Sequence, residues 1–316
     1  MVRNLGTYEE GWTGKDGVTI NFQTGCEGGC LFCFARLMAD EYGWCPWDQW
    51  TSPVIRTKDV AKGYRKRKGR IMLPSSHNID GSNLVEATWV LMKLLDAGNE
   101  NILVVMKTHP DVMGAICLSL KEAGYIDRVE IRHSIPTLHY ETWKLFMPGC
   151  PTADEIFEAI RRGKKYHVKQ SVNIGPFVCR RPWEVVQKAV KFGITPDNIW
   201  IEPMSHRTKL YKRSAVLRKY KDKLERLYSP RSLRAIHDQI ELMGYHINYK
   251  KTFTGKMAKE PSLKWVLANK KYEPPKCIDG TDNHRANEMR DHKRGTRWDY
   301  CKRCGATLSK HTAMTD

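Results

Sequence analysis

The chain has 316 residues, enough for one full α/β domain and a smaller appendage. Hydrophobic residues make up 41 %, which excludes global disorder, and no apolar run reaches the ~18–20 residues that a membrane span needs. Lys and Arg total 53 against 35 Asp and Glu; the net charge of +18 favours a polyanionic partner such as DNA or RNA, beside the plainer reading of a basic, soluble surface. The N-terminal stretch MVRNLGTYEEGWTGK lacks the apolar core of a secretory signal, so the expected location is a reducing cytoplasm. There the ten cysteines read as metal ligands, core residues or reactive thiols rather than disulfides.

In chain order, apolar β-type runs fall at Val18–Phe22, Arg70–Leu73, Asn101–Met106, Arg128–Ile135, His167–Ile174 and Asn198–Ile201. Helical stretches separate them: Leu31–Tyr42, Ser82–Ala97, Asp111–Ala123, Thr152–Tyr166 and Pro182–Phe192. Ser82 reads as a cap for the second, and Thr-Ala-Asp-Glu from Thr152 as a capping box for the fourth. The alternation predicts a parallel sheet with helical crossovers. Six units match a partial (β/α)6 barrel, and an open doubly wound sheet fits the periodicity nearly as well. Either fold places reactive groups at the carboxyl ends of the strands. A composition shift after Met204 closes the core at residues 1–204. Residues 205–273 form a basic helical extension, dense in Lys and Arg with interleaved tyrosines, with a helix over Pro230–Met243 and an ordered run at Tyr245–Tyr249. Pro274-Pro275 opens a Cys/His-containing module, 274–316.

Directly after the first run stands Gly25-Cys26-Glu27-Gly28-Gly29-Cys30-Leu31-Phe32-Cys33. Three thiolates at this spacing, on a Gly-rich loop entering a helix, can converge on one iron–sulfur cluster; four would normally fill a cubane, so one iron stays open to a small molecule. A zinc knuckle needs a fourth ligand nearby, and no Cys or His adjoins the group; three ordinary buried cysteines in eight residues are uncommon.

This segment resembles the signature of the radical S-adenosylmethionine (SAM) superfamily, C-x3-C-x-Φ-C with an aromatic Φ, here Phe32. The likeness covers roughly residues 15–204 and is similar to the branch containing spore photoproduct lyase. Supporting segments are Arg70-Ile71-Met72-Leu73-Pro74-Ser75-Ser76-His77-Asn78-Ile79-Asp80, Lys107-Thr108-His109-Pro110, Arg132-His133-Ser134-Ile135 and Ile201-Glu202-Pro203-Met204. Relatives tend to carry an acidic residue and Ala where Met147 and Cys150 flank Pro148-Gly149 here. The resemblance implies a four-iron, four-sulfur cluster on Cys26, Cys30 and Cys33. SAM would chelate the open iron and, on reduction, yield a 5′-deoxyadenosyl radical that abstracts hydrogen from a substrate. It implies packing of the adenine by Phe32 and an electron donor such as flavodoxin or ferredoxin.

By strand-end position, Ser75, Ser76, His77, Lys107, Arg132, Ser134, Asn173 and Glu202 are the candidates to hold SAM, whose carboxylate and hydroxyls need a cation and polar partners. Each could equally be a strand-end polar group satisfied by backbone or water. Of the remaining thiols, Cys150 and Cys179 follow the fourth and fifth runs and are the candidates to donate hydrogen to a substrate radical, while Cys117 in an apolar helix reads as core. Cys45 has no motif around it.

Near the end, Cys277, His284, Cys301 and Cys304 could complete a tetrahedral zinc site, with His292 and His311 as competing ligands. A zinc-ribbon-like module is the reading, an auxiliary iron–sulfur cluster the runner-up. Arg285, Arg290, Lys293, Arg294 and Arg297 with Trp298 and Tyr300 suit phosphate contact and base stacking. The expectation is an enzyme modifying, rearranging or repairing a nucleic-acid base or nucleotide. The alternatives are a non-catalytic nucleic-acid-binding protein with structural zinc sites, and radical SAM chemistry on a peptide or metabolite.

Overall fold

A computed structural model describes residues 16–250 and 253–254, with the backbone of three further strands, Ala286–Asp291, Thr296–Cys301 and Thr307–His311, which form an antiparallel sheet. Cys277, His284 and Cys304 lie outside the described residues, as do Arg285, His292, Lys293 and Arg294; of Cys301 only the strand backbone is described.

Seven strands form one parallel sheet: β1 (Val18–Thr19), β2 (Ile71–Leu73), β3 (Ile102–Met106), β4 (Val129–Ser134), β5 (Lys169–Ile174), β6 (Ile199–Ile201) and β7 (Asn248–Tyr249). Their spatial order is their chain order, and every neighbouring pair is parallel. A doubly wound sheet reverses its strand order at a switch point. No reversal occurs here, so the sheet is the curled half-barrel alternative. It holds one strand more than the six expected.

The longer helices are α1 (Phe34–Glu41), α2 (Leu84–Asp96), α3 (Pro110–Glu122), α4 (Ala153–Lys165), α5 (Trp183–Lys191) and α6 (Pro230–Leu242). They cover the outer face. Alternation along each strand sends one set of side chains outward to them. Ile71, Leu73, Ile102, Val104 and Ile131 pack with Leu91 and Leu94 of α2 and Ile116 and Leu120 of α3. Val172, Ile174, Ile199 and Ile201 share a second core with Ile156, Phe157 and Ile160 of α4 and Val185 and Val186 of α5. Burial of each such side chain contributes about 1.5–3 kcal/mol. The capping box of α4 is formed: Thr152 Oγ1 accepts from the Glu155 amide, and Glu155 accepts from the Thr152 amide at 2.6 Å.

Three expectations differ in detail. The first strand is two residues long, and Gln23–Thr24 pairs instead antiparallel with Val54–Ile55. Helix α2 starts at Leu84 with Asn83 at its cap position, because Ser82 is drawn back to Asp80 Oδ1, 2.7 Å from its hydroxyl. The division after Met204 does not coincide with a break in packing. Leu210, Tyr228, Leu233 and Ile240 join the core of β5 and β6, and β7 pairs with β6.

The inner face of the half-barrel is polar along its middle strands. On β4 the inward set is Glu130, Arg132 and Ser134, and on β5 Ser171 and Asn173 stand beside them. Toward the amino ends of the strands, Glu130 meets Ser171, Arg132, Arg70 and, at 3.6 Å, Lys169. Burial raises the Glu130 carboxyl, but the Ser171 hydroxyl and the two guanidinium groups outweigh it and hold the carboxyl down at about 2.

Candidate functional site

At the carboxyl ends of the strands lies a cavity that opens to solvent. Cys26, Cys30, Cys33 and Phe32 line one side, joined by Lys107 from the end of β3. Ser75, Ser76 and His77 follow β2, and Ser134, Asn173 and Glu202 close the opposite side. Nearly all of the strand-end candidates therefore converge on one cavity.

The cysteine loop is fixed by its neighbours. The Cys26 amide donates to Trp50 O at 2.8 Å, and its sulfur accepts from the Asn78 amide at 3.4 Å. Cys33 is the cap residue of α1, its sulfur accepting from the Arg36 amide at 3.4 Å. Burial pushes the Cys26 thiol up to about 11 and the Cys33 thiol up to about 12. Cys30 goes the other way, to about 6, held down chiefly by a hydrogen bond with Cys150. Among the described residues, no three His, Cys, Asp or Glu side chains stand close enough to grip a single metal ion.

Lys107 is half-buried against these sulfurs. Burial works against its ammonium group, but Cys30, Cys150, Cys26 and Cys33 outweigh it, so the lysine stays charged, with its pKa raised. Asn78 clamps this strand end in both directions: its Oδ1 accepts from the Lys107 amide at 2.7 Å and its Nδ2 donates to Lys107 O at 3.1 Å.

The turn after β2 is held by Asn21, whose Oδ1 accepts from the Ser75 amide at 2.8 Å and the Ser76 amide at 3.1 Å. His77 packs edge-on to Phe22 with ring centroids 4.6 Å apart. Burial, with Arg56 adding to it, pushes the imidazole down to about 3, so it is neutral, and its Nε2 is buried without a hydrogen-bond partner among the described residues. Opposite, Asn173 Nδ2 donates to Glu202 Oε1 at 3.0 Å, and Lys250 forms an ion pair with the same carboxylate. Asn173 Oδ1 is buried with no partner among the described residues. Buried polar atoms are nearly always paired, so two orphans on residues that line one cavity fit a polar ligand.

Two candidates stand elsewhere. Arg132 is not among the cavity-lining residues: its guanidinium is directed to Glu130 and Ser171, at 2.9 Å each, deeper between the strands. Cys179 does not line the cavity either; its thiol faces Pro136 O, and burial pushes it up to about 11. Cys150 does line it, but against the cysteine loop, 3.5 Å from Cys30 Sγ. Cys117 is buried in the outer core. Cys45 packs beside Trp50 away from the cavity. The sequence reading did not single out Asn21, Asn78 or Lys250. Asn78 lies in the Arg70–Asp80 stretch, which carries the family resemblance; Lys250 has no sequence signal, since it follows a strand of two residues.

The family model "Radical SAM superfamily" matches residues 20–193. No curated protein matches the chain. A substituted spore photoproduct lyase with bound AdoMet and dinucleoside spore photoproduct is 16 % identical, with a TM-score of 0.43 over 62 % of this chain and 60 % of that one. Spore photoproduct lyase complexed with dinucleoside spore photoproduct is 16 % identical, with a TM-score of 0.41 over 64 % and 60 %. SuiB of Streptococcus suis bound to S-adenosylmethionine is 12 % identical, with a TM-score of 0.40 over 82 % and 50 %. The chain thus spans 60 % of the length of these lyase structures and half of SuiB.

Proposed function

The chain belongs to the radical SAM superfamily, and from that premise we propose that Cys26, Cys30 and Cys33 hold a four-iron, four-sulfur cluster beside a SAM site and that the substrate is a nucleic-acid base or nucleotide. The observation that carries the reading is the shared cavity: three thiols and a charged lysine on one side, strand-end polar groups with unmatched atoms on the other. The donor set fits the group, since thiolates are the usual cluster ligands and three of them leave one iron open.

When bound, the cluster and SAM supply an electron and a 5′-deoxyadenosyl radical that abstracts hydrogen from the substrate. The chain's own residues bind and orient. Lys107 offers a half-buried cation to a carboxylate, the strongest kind of hydrogen-bond partner available to it. Ser134 and Asn173 offer polar contacts to hydroxyl or amino groups, and neutral His77 can donate or accept. Phe32 presents an apolar face suited to an adenine. Glu202, already paired with Lys250, adds an acceptor without adding net charge.

The nucleic-acid part of the reading is supported by the net charge of +18 and by the surface beyond the cavity rim. Phe34 stacks on His206 with centroids 6.0 Å apart, leading from the rim to the helix Arg207–Arg213. Lys209 and Arg213 of that helix bridge to Glu41 and Asp40 at the end of α1. There the stacked rings of Tyr42 and Trp44 are 60 % and 36 % exposed, an arrangement suited to base stacking. The proposed zinc site on Cys277, His284, Cys301 and Cys304 rests on ligand spacing alone.

Anaerobically reconstituted protein with dithionite and SAM is expected to release 5′-deoxyadenosine; none would sink the enzyme reading. Metal analysis is expected to find about four irons and one zinc per chain. Two zincs without iron would point to a binding protein. Binding to DNA or RNA that weakens steeply with salt supports the substrate class, and its absence moves the chemistry to a peptide or metabolite.

A further inference from the structure

Cys150 belongs to no motif, yet its sulfur is held against the cysteine loop. It stands 3.5 Å from Cys30 Sγ and 3.5 Å from Gly28 O. The contact is built by backbone. The Gly149 amide donates to Gly28 O at 3.3 Å, and the Leu31 amide to Phe146 O at 2.9 Å, so two segments 120 residues apart are docked against each other. The docking leaves no room for side chains: a Cβ at Gly149 would meet Glu27 O at 2.1 Å, and one at Gly28 would meet Cys150 Sγ at 2.9 Å. Once Cys30 serves as a thiolate ligand it has no proton to give, so in this pair Cys150 is the donor. A thiolate is also a stronger acceptor than the competing carbonyl of Gly28.

We infer that Cys150 is a positioning residue for the cluster, donating an S–H···S hydrogen bond to Cys30 that makes the cluster easier to reduce. The inference rests on the reading that Cys26, Cys30 and Cys33 hold the cluster. Reduction adds negative charge that the sulfurs share, and hydrogen bonds to those sulfurs are among the terms that set the potential. The donor stabilises the reduced state more than the oxidised one. This role needs no contact with substrate and differs from hydrogen donation to a substrate radical.

The test is an anaerobic redox titration followed by electron paramagnetic resonance on the reconstituted full chain, with iron counted in every sample. Wild type, Cys150→Ala and Cys150→Ser are expected to hold equal iron. The alanine variant should show a more negative midpoint, and serine, whose hydroxyl can donate, should restore it toward wild type. An alanine midpoint equal to wild type overturns the inference, as does serine behaving like alanine. So does loss of one iron on mild oxidation in Cys150→Ala alone, which would make Cys150 a ligand. Failure of wild type to take up iron sinks the underlying reading and this inference with it.

Discussion

The two ends of the half-barrel lumen are both lined by charged and polar side chains, but they are used differently. At the amino ends of the strands, Glu130 is matched by Ser171, Arg132, Arg70 and Lys169, so its carboxylate is spent within the protein. At the carboxyl ends, a charged lysine sits among thiols, and His77 Nε2 and Asn173 Oδ1 have no partner among the described residues. Burial of polar groups is costly at either end. Where the chain supplies its own partners, the arrangement builds structure; where it leaves them open, the arrangement awaits a ligand. Substitutions at the two ends should therefore separate stability from ligand binding.

The largest effect is expected at the sulfur side. Replacing Cys26, Cys30 or Cys33 with Ala should abolish 5′-deoxyadenosine formation and strip most of the iron, measured by product chromatography and iron assay. A variant that keeps both would remove that cysteine from the ligand set. Next comes Glu130→Gln. It leaves Arg132 and Arg70 facing a neutral amide, and breaking a buried pair in this way costs about 3–5 kcal/mol. Denaturant unfolding should show that loss, while SAM affinity of the folded protein stays close to wild type. The same carboxyl sets an acid limit. Its pKa lies below the ordinary 4.5, at about 2 in the fold, so its stabilisation is complete above the ordinary value and is lost as pH falls from there toward about 2. The glutamine variant should lack that component of acid unfolding.

This contrast between the ends was only half legible in the sequence. Five of the six expected strands keep nearly their full length because short apolar runs with flanking turns mark buried parallel strands. The cysteine loop was legible because its three cysteines are neighbours in sequence. Period-two alternation correctly puts Glu130, Arg132 and Ser134 on one face, but it carries no information on depth along the lumen. Ser134 therefore reaches the cavity, while Arg132 is taken by Glu130. Cys150 was visible as a thiol after a strand, yet its partner was not. That contact depends on two glycine-containing loops meeting across 120 residues, which no local pattern encodes. β7 contributes only Asn248 and Tyr249, too little for any periodicity, and so Lys250 went unnoticed.

Lys107→Met sharpens the ligand end. The substitution keeps much of the side-chain volume and removes the cation, so SAM binding should weaken by roughly 10–100-fold, the range of one charged hydrogen bond. Isothermal calorimetry on the reconstituted protein measures it, and an unchanged affinity would free Lys107 from the carboxylate role. It would leave the lysine as a counter-charge for the sulfurs alone.

The smallest and most discriminating effect is expected at Asn173. Its Nδ2 already serves Glu202, while its Oδ1 has no partner among the described residues. Asn173→Ala therefore removes one internal hydrogen bond and one unmatched acceptor together, and these changes oppose each other in folding. Net stability should move by less than about 1 kcal/mol, while SAM affinity falls by about fivefold, the equivalent of one neutral hydrogen bond. The reverse outcome, a clear loss of stability at unchanged affinity, would show that Asn173 works as Glu130 does, within the protein. The distinction between the two ends of the lumen would then stop at Lys107 and the thiols.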